Sequence, residues 1–368
     1  MLNDSIFSAA LSRRDFMKTI TTLTAAMGLP AAFAPQVAAA AEGDKRPPVI
    51  WLHFQECTGC SESLLRSSHP DLVAILLDTI NLEYQETIMA GAGLQAEEAL
   101  ETAHEKYAGE YLLVVEGAVP LLDDGGCCKI GGLSAQESLQ KLATDAFAVV
   151  CMGTCASIGG IVTAQPNPTK AVSVASLVND KPVINLPGCP PNPYNLPATI
   201  LYLLTFGKLP ELDSQNRPKF AYGRLVHDHC ERRSHFDAGR FAKAFGHETH
   251  ALGYCLYELG CKGPVTHANC PELRFNDGTA WPISIGHPCI GCTEHVAFNT
   301  AVSDKAAIVD PASPSWFPPT NMKPAGKPAS VASALGVGVA LGGALGYAAG
   351  RGQSLPDGDE QQEEHRDE

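Results

Sequence analysis

The chain is 368 residues long and carries 26 Lys and Arg against 40 Asp and Glu, a formal net charge of −14, which argues against nucleic acid as a partner. Its length suffices to bury a core without covalent staples. Its 13 cysteines are an odd number for a disulfide framework, which counts against a secreted disulfide scaffold.

At the N-terminus, Ser12-Arg13-Arg14-Asp15-Phe16-Met17-Lys18 puts a twin arginine before a weakly apolar run from Thr19 to Val37, and Ala38 to Ala41 supply the small residues a signal peptidase accepts. This is the pattern of a twin-arginine signal peptide, which exports proteins already folded. The rival reading is a basic N-terminal helix of a cytosolic protein. Residues 1–41 are therefore set apart from the fold, and the expected location is the periplasmic side of the cytoplasmic membrane. Folding before export also lets thiolates bind iron before an oxidant reaches them.

From residue 47 to 206 short apolar segments alternate with amphipathic stretches. Val49 to Phe54, Tyr111 to Val115, Phe147 to Met152 and Val183 to Leu186 suit the centre of a parallel sheet. Glu62 to Leu77, Gln95 to Tyr107 and Ala135 to Ala146 read as helices. The alternation predicts an α/β fold, a flavodoxin-like doubly wound parallel sheet. Cys57 and Cys60 follow the first of these strands, Cys155 the third and Cys189 the fourth. The carboxyl ends of an open parallel sheet border one crevice, so the four can converge there; the plain alternative is four small buried hydrophobes. Four thiolates are enough for a closed [4Fe–4S] site, although Cys-x-x-Cys by itself also suits redox or zinc chemistry. Glu56 and Glu116 stand at the same sheet edge, either as functional carboxylates or as solvated loop residues.

Residues 207–320 are rich in Pro, Gly, His and Cys with few periodic segments, although Asp237 to Phe245 reads as a helix. The expectation is an irregular iron–sulfur domain with little regular structure, ordered by cofactors or by a partner. His227, Cys230, Cys255 and Cys261 suit either a cluster with one imidazole ligand or structural zinc. Cys270, Cys289 and Cys292 suit a [3Fe–4S] cluster, with His287 as the residue that would complete a zinc site. His229, His235, His247 and His250 are read as ordinary surface or core histidines. Cys127, Cys128 and Cys151 match no group, Cys151 reading as strand packing. No Gly-x-Gly-x-x-Gly follows the first strand and no nucleophile elbow is present, so the chain reads as an electron relay. Residues 329–350 are uncharged and long enough to span a bilayer, with Gly338, Gly342, Gly346 and Gly350 on one helical face. They are expected to form a C-terminal transmembrane helix, followed by an acidic tail at 351–368; a flexible small-residue tail is the alternative.

Seven segments carry a resemblance: Glu56-Cys-Thr-Gly-Cys-Ser-Glu-Ser63, Gly153-Thr-Cys155, Pro187-Gly-Cys-Pro-Pro-Asn-Pro193, His227-x-x-Cys230, His235-Phe-Asp-Ala-Gly239, Leu259-Gly-Cys-Lys-Gly-Pro264 and Gly286-His-Pro-Cys-Ile-Gly-Cys292. Through them the chain resembles the small, electron-transferring subunit of exported, membrane-associated nickel–iron uptake hydrogenases. The resemblance implies a proximal [4Fe–4S] cluster on Cys57, Cys60, Cys155 and Cys189. It also implies a medial [3Fe–4S] on Cys270, Cys289 and Cys292, and a distal [4Fe–4S] on His227, Cys230, Cys255 and Cys261. It implies a heterodimer in which a separate large subunit holds the nickel–iron centre, a proton-transfer role for Glu56, and a cytochrome or other carrier at the membrane as acceptor. Gly59 and Gly160 stand where oxygen-tolerant members carry two extra cysteines, so the resemblance is to the oxygen-sensitive type. Two other readings share these clusters: a hydrogen-sensing regulatory subunit and a stand-alone exported carrier.

Overall fold

A computed structural model of the chain describes residues 13–43, 46–67, 80–295 and 298. Its centre is a parallel sheet of five strands, β1 Pro48–His53, β2 Asn81–Gln85, β3 Leu112–Glu116, β6 Ala148–Met152 and β7 Val183–Leu186, in the order β2-β1-β3-β6-β7. A two-stranded hairpin, β4 Lys129–Ile130 and β5 Leu133–Ser134, lies apart from it. This is the doubly wound order in which the chain reverses direction between β1 and β3.

Strands β3, β6 and β7 are buried along their length, which is why they read as continuous apolar runs. Alternate side chains serve opposite cores. Ile50, Leu52, Leu113, Val115, Val149 and Cys151 face one side, under Ala103 of helix α4 (Leu94–Lys106) and Leu139 and Leu142 of α5 (Ala135–Thr144). Trp51, Leu112, Val114, Val150 and Ile184 face the other, under Leu196 and Ile200 of α7 (Asn195–Phe206). Each such Val, Leu or Ile contributes about 1.5–3 kcal/mol by leaving water. Helix α5 begins with a capping box, Ser134 accepting from the Glu137 N–H while Glu137 accepts from the Ser134 N–H.

The register decides where the loops emerge. His53 pairs with Glu116, Glu116 with Met152 and Met152 with Leu186. Four strands therefore end in one row, and the segments carrying Cys57, Cys155 and Cys189 leave the sheet at a common level.

Three expectations need correcting. Strand β2, Asn-Leu-Glu-Tyr-Gln, is an edge strand in which half-exposed Asn81 and Glu83 and buried Gln85 leave no apolar run. Helix α3 is Gly59–Leu65 and stops at Arg66, short of the predicted Glu62–Leu77; residues 68–79 lie outside the described residues. The predicted helix from Asp237 to Phe245 is absent: helix α9, Arg233–Asp237, ends where that prediction began. Gly239 has φ +66° there, and Phe241 then pairs with Cys255 and packs its ring on Phe236 and Tyr257. A local aromatic cluster outweighs helical periodicity at that point.

Beyond α7 the chain runs through turns and short helices around a small core that includes Val226, Leu256, Trp281 and Ile283. Arg217, 4 % exposed, ties this part together, donating to Asp213 at 2.7 Å and to Glu294 at 2.9 Å. Glu294 follows Cys292 closely, so the ion pair fixes the segment that carries that thiol. At the other end, helices α1 (Arg13–Ala26) and α2 (Ala34–Ala41) fold back onto α7. Among the described residues no helix is long and apolar enough to cross a membrane. Residues 329–350 and the acidic tail lie outside the described residues.

Candidate metal centres

All 13 cysteines are free of disulfides. The crevice at the carboxyl ends of β1, β6 and β7 gathers the first set. Cys57 sits in the loop after β1, Cys60 in the first turn of α3, Cys155 in α6 (Gly153–Ile158) and Cys189 just past β7. Gly153 has φ +86°, and a Cβ there would lie 2.3 Å from the Cys60 sulfur, so only glycine lets the two loops approach.

The electrostatics show that the four thiols are neighbours. Burial drives Cys60 far up, and Glu116, Cys155 and Cys189 add to the shift. Burial pushes Cys155 up to about 12, with Cys189 and Cys57 contributing. Burial and Cys57 raise Cys189. Left to themselves Cys60, Cys155 and Cys189 stay protonated, because burial and mutual repulsion both oppose the thiolates. A cationic iron core removes both obstacles, which is the sense in which the residues fit the group.

The second set lines one small cavity, with His227, Cys230, Cys255 and Cys261 all in its wall. Burial and then Arg233 hold His227 below its ordinary pKa, keeping a neutral imidazole of the kind that ligates metal. Burial raises Cys230, and takes Cys255 up to about 11. The third set, Cys270, Cys289 and Cys292, lines a cavity of about 520 Å³ that Cys189 also borders. Cys292 is pushed up to about 12, by burial and then by Cys289. His287 does not line that cavity; its Nδ1 is 2.8 Å from the Pro288 carbonyl oxygen. The residue that would have completed a zinc site is thus turned elsewhere.

Ligand spacing separates a cluster from a single ion. Tetrahedral zinc with bonds of about 2.3 Å draws its sulfurs to about 3.8 Å from one another. Among the described residues, the set with three ligand atoms within 4.8 Å of one another is His53, Glu56 and Glu116, and none of the three cysteine groups qualifies. Among the described residues, the cysteine sets therefore lack the close triple of ligand atoms that a single tetrahedral ion draws together.

The three sets are also in contact. Thr154, 1 % exposed, accepts from the Gly188 N–H at 2.8 Å and donates to the Cys292 carbonyl at 2.5 Å. It thereby joins the residues beside Cys155 and Cys189 to Cys292 itself. Further on, Lys262, next to Cys261, donates its backbone N–H to the Cys289 carbonyl at 2.7 Å and is 2 % exposed. A Thr154→Val variant is expected to lose about 1–3 kcal/mol of unfolding free energy, since it strands a buried N–H and a buried carbonyl. Guanidinium titration measures this, and Thr154→Ser should restore the loss.

The two carboxylates that sequence left open are not solvated. Glu116 is 1 % exposed and accepts from the N–H of Cys60 at 2.9 Å, the N–H of Ser61 at 3.1 Å and the Ser61 hydroxyl at 2.8 Å. Glu56 has 11 % side-chain exposure; its Oε1 is 3.2 Å from His53 Nδ1 and accepts from the Thr58 hydroxyl at 3.1 Å, while its Oε2 is buried with no hydrogen-bond partner among the described residues. His53 and Gln85 complete this network, with Gln85 Nε2 3.0 Å from His53 Nε2. Sequence reasoning passed over both, as well as Thr154 and Lys262; the polar His53 closing an otherwise apolar strand was the available signal. Cys151 is fully buried in the sheet core, as expected, whereas Cys127 is exposed and Cys128 half-buried.

Comparison with known proteins bears on the whole arrangement. The family described as the C-terminal part of the NiFe/NiFeSe hydrogenase small subunit matches residues 222–303, and that described as NADH ubiquinone oxidoreductase, 20 Kd subunit, matches residues 57–203. The chain is 48 % identical over 335 residues to the Hydrogenase-2 small chain of Escherichia coli K12, covering 90 % of each. It is 50 % identical over 292 residues to the quinone-reactive Ni/Fe-hydrogenase small chain of Wolinella succinogenes, covering 79 % of this chain and 82 % of that one. Among solved structures it is similar to a chain of the reduced, active Ni-Fe-Se hydrogenase from Desulfomicrobium baculatum, with TM-score 0.65 and 36 % identity over 70 % of this chain and 100 % of that one.

Proposed function

Because this chain belongs to the small subunits of nickel–iron hydrogenases, and so is an iron–sulfur electron-transfer subunit, we propose a specific relay for it. Electrons from H2 oxidation in the large subunit enter at Cys57, Cys60, Cys155 and Cys189, pass by Cys270, Cys289 and Cys292, and leave at His227, Cys230, Cys255 and Cys261. In this reading the first and last sets hold [4Fe–4S] clusters and the middle set a [3Fe–4S] cluster; when bound, each takes up and releases one electron at a time. The single observation that carries the reading is the pair of links through Thr154 and Lys262, which makes three ligand sets one continuous body.

The protein's own groups prepare the sites. Backbone N–H groups turn toward sulfur, Gly291 to Cys289 and Arg232 to Cys230, both at 3.4 Å, and such bonds raise a cluster's potential. Burial lowers the pKa of Lys262 while Cys289 opposes that shift, and in its protonated form Lys262 favours negative charge on Cys289. Glu116 holds the turn that presents Cys60. Glu56, next to Cys57 and paired with His53, is our candidate for moving a proton at the boundary with the large subunit.

We further read residues 47–206 and 207–320 as two domains, 1–41 as the export signal and 329–350 as the anchor. The quinone-reactive relative supports an acceptor at the membrane, and the twin arginine supports the periplasmic side. The test is H2-dependent viologen reduction by the heterodimer. Loss of the coupling when this chain is withheld is the expected result; a large subunit that reduces the dye equally well alone would contradict it.

A further inference from the structure

Residues 13–41 do not lie loose. Phe16, Ile20, Leu23 and Met27 recur at the spacing of one helical face. Ile20 and Leu23 are 1 % exposed, Met27 3 % and Val37 0 %. They pack on Tyr194, Ala198 and Leu201 of the α7 region, and Phe33 meets the Phe206 ring edge-on at 5.9 Å between centroids. Arg14, by contrast, is exposed. The small residues Ala38 to Ala41 fall within or at the end of helix α2, which itself contacts α7.

From this geometry we infer that residues 16–41 are a removable cover for an apolar docking face on α7, and that while seated they withhold both the apolar stripe and the Ala38–Ala41 cleavage segment. The claim about cleavage rests on the export reading given above; the contact itself does not. A peptidase acts on locally opened chain, so a helical, packed segment is cut only in proportion to its detached population. The seating is built to be reversible. The hydroxyls of Thr19 and Thr24 are buried without a hydrogen-bond partner among the described residues, and water satisfies both once the cover lifts. Detachment then uncovers Ala198, Leu201 and Tyr202, an apolar face that the seated residues otherwise keep dry.

The experiment uses the full unprocessed chain purified with its large subunit. Subtilisin should cut between residues 16 and 41 slowly in the parent, and at least about 10-fold faster in Ala198→Trp, whose ring takes the space of the cover, since cleavage follows the open fraction. Cutting elsewhere should be unchanged. A photo-crosslinker at Leu23 should join peptide 195–206 in the parent, which keeps the test valid if Ala198→Trp folds poorly. Equal cutting rates in the two proteins, or a Leu23 crosslinker that captures no part of 195–206, would overturn the inference. N-terminal sequencing of the exported protein checks the export reading separately. A mature terminus far from residue 42 would sink that reading, while the crosslink decides the contact.

Discussion

Replacing Cys57 with serine is expected to lower H2-dependent dye reduction by at least about 100-fold, more than the loss of a residue that merely supports a metal ligand. Serine keeps the side chain's size but offers a hydroxyl in place of the soft thiolate that iron–sulfur chemistry requires. Cys57 stands at the surface of the crevice, so the change costs little packing and its effect reads out the site and not the fold. The resonance of the cluster on Cys57, Cys60, Cys155 and Cys189 should vanish or change shape in the same sample. Cys127→Ser is the control: that thiol is exposed and lines neither the cavity of Cys270, Cys289 and Cys292 nor that of His227, Cys230, Cys255 and Cys261, and the variant should behave as the parent. Full dye reduction and an unchanged spectrum in Cys57→Ser would remove that residue from the relay.

Glu116→Ala should be the most damaging change that touches no proposed ligand. Three donors converge on this carboxylate, two of them backbone N–H groups at the turn that presents Cys60. Alanine leaves them buried and unsatisfied, at a cost of about 3 kcal/mol or more. It also takes away the carboxyl oxygen 3.9 Å from His53 Nδ1. Glu116→Gln keeps one acceptor oxygen but turns an NH2 toward a donor, so it should fall between alanine and the parent. Thermal unfolding of the heterodimer measures the stability term. The spectrum of the crevice cluster, broadened or lost in Glu116→Ala, reports the loosened turn. A Glu116→Ala protein as stable as the parent would mean that water replaces the carboxylate, which its 1 % exposure argues against.

What could be read from sequence depended on how each feature is encoded. The apolar strands β1, β3, β6 and β7 were legible because burial on both faces leaves a continuous run. The spacing of the cysteines after three of those strands then foretold their meeting. Strand β2 was hidden because an edge strand carrying Asn81, Glu83 and Gln85 looks like a loop. Helix α9 runs up to Asp237 instead of starting there, because aromatic packing among Phe236, Phe241 and Tyr257 is a tertiary preference that no local period encodes. Thr154 was invisible for a different reason. Its hydroxyl matters only because residues 34 and 138 positions away arrive beside it. The fold-back of residues 13–41 onto α7 is likewise hidden: the segment reads as a targeting signal, and its amphipathic face finds a partner only once α7 exists.

The central claim is that eleven side chains hold three separate clusters in contact along one body. Iron and acid-labile sulfide per chain, measured with the EPR spectrum of the oxidised protein, test it most directly. The account predicts about eleven irons and about twelve sulfides, with the signal of an oxidised three-iron cluster present. Zinc in stoichiometric amount, or iron near that content with no three-iron signal, would contradict it.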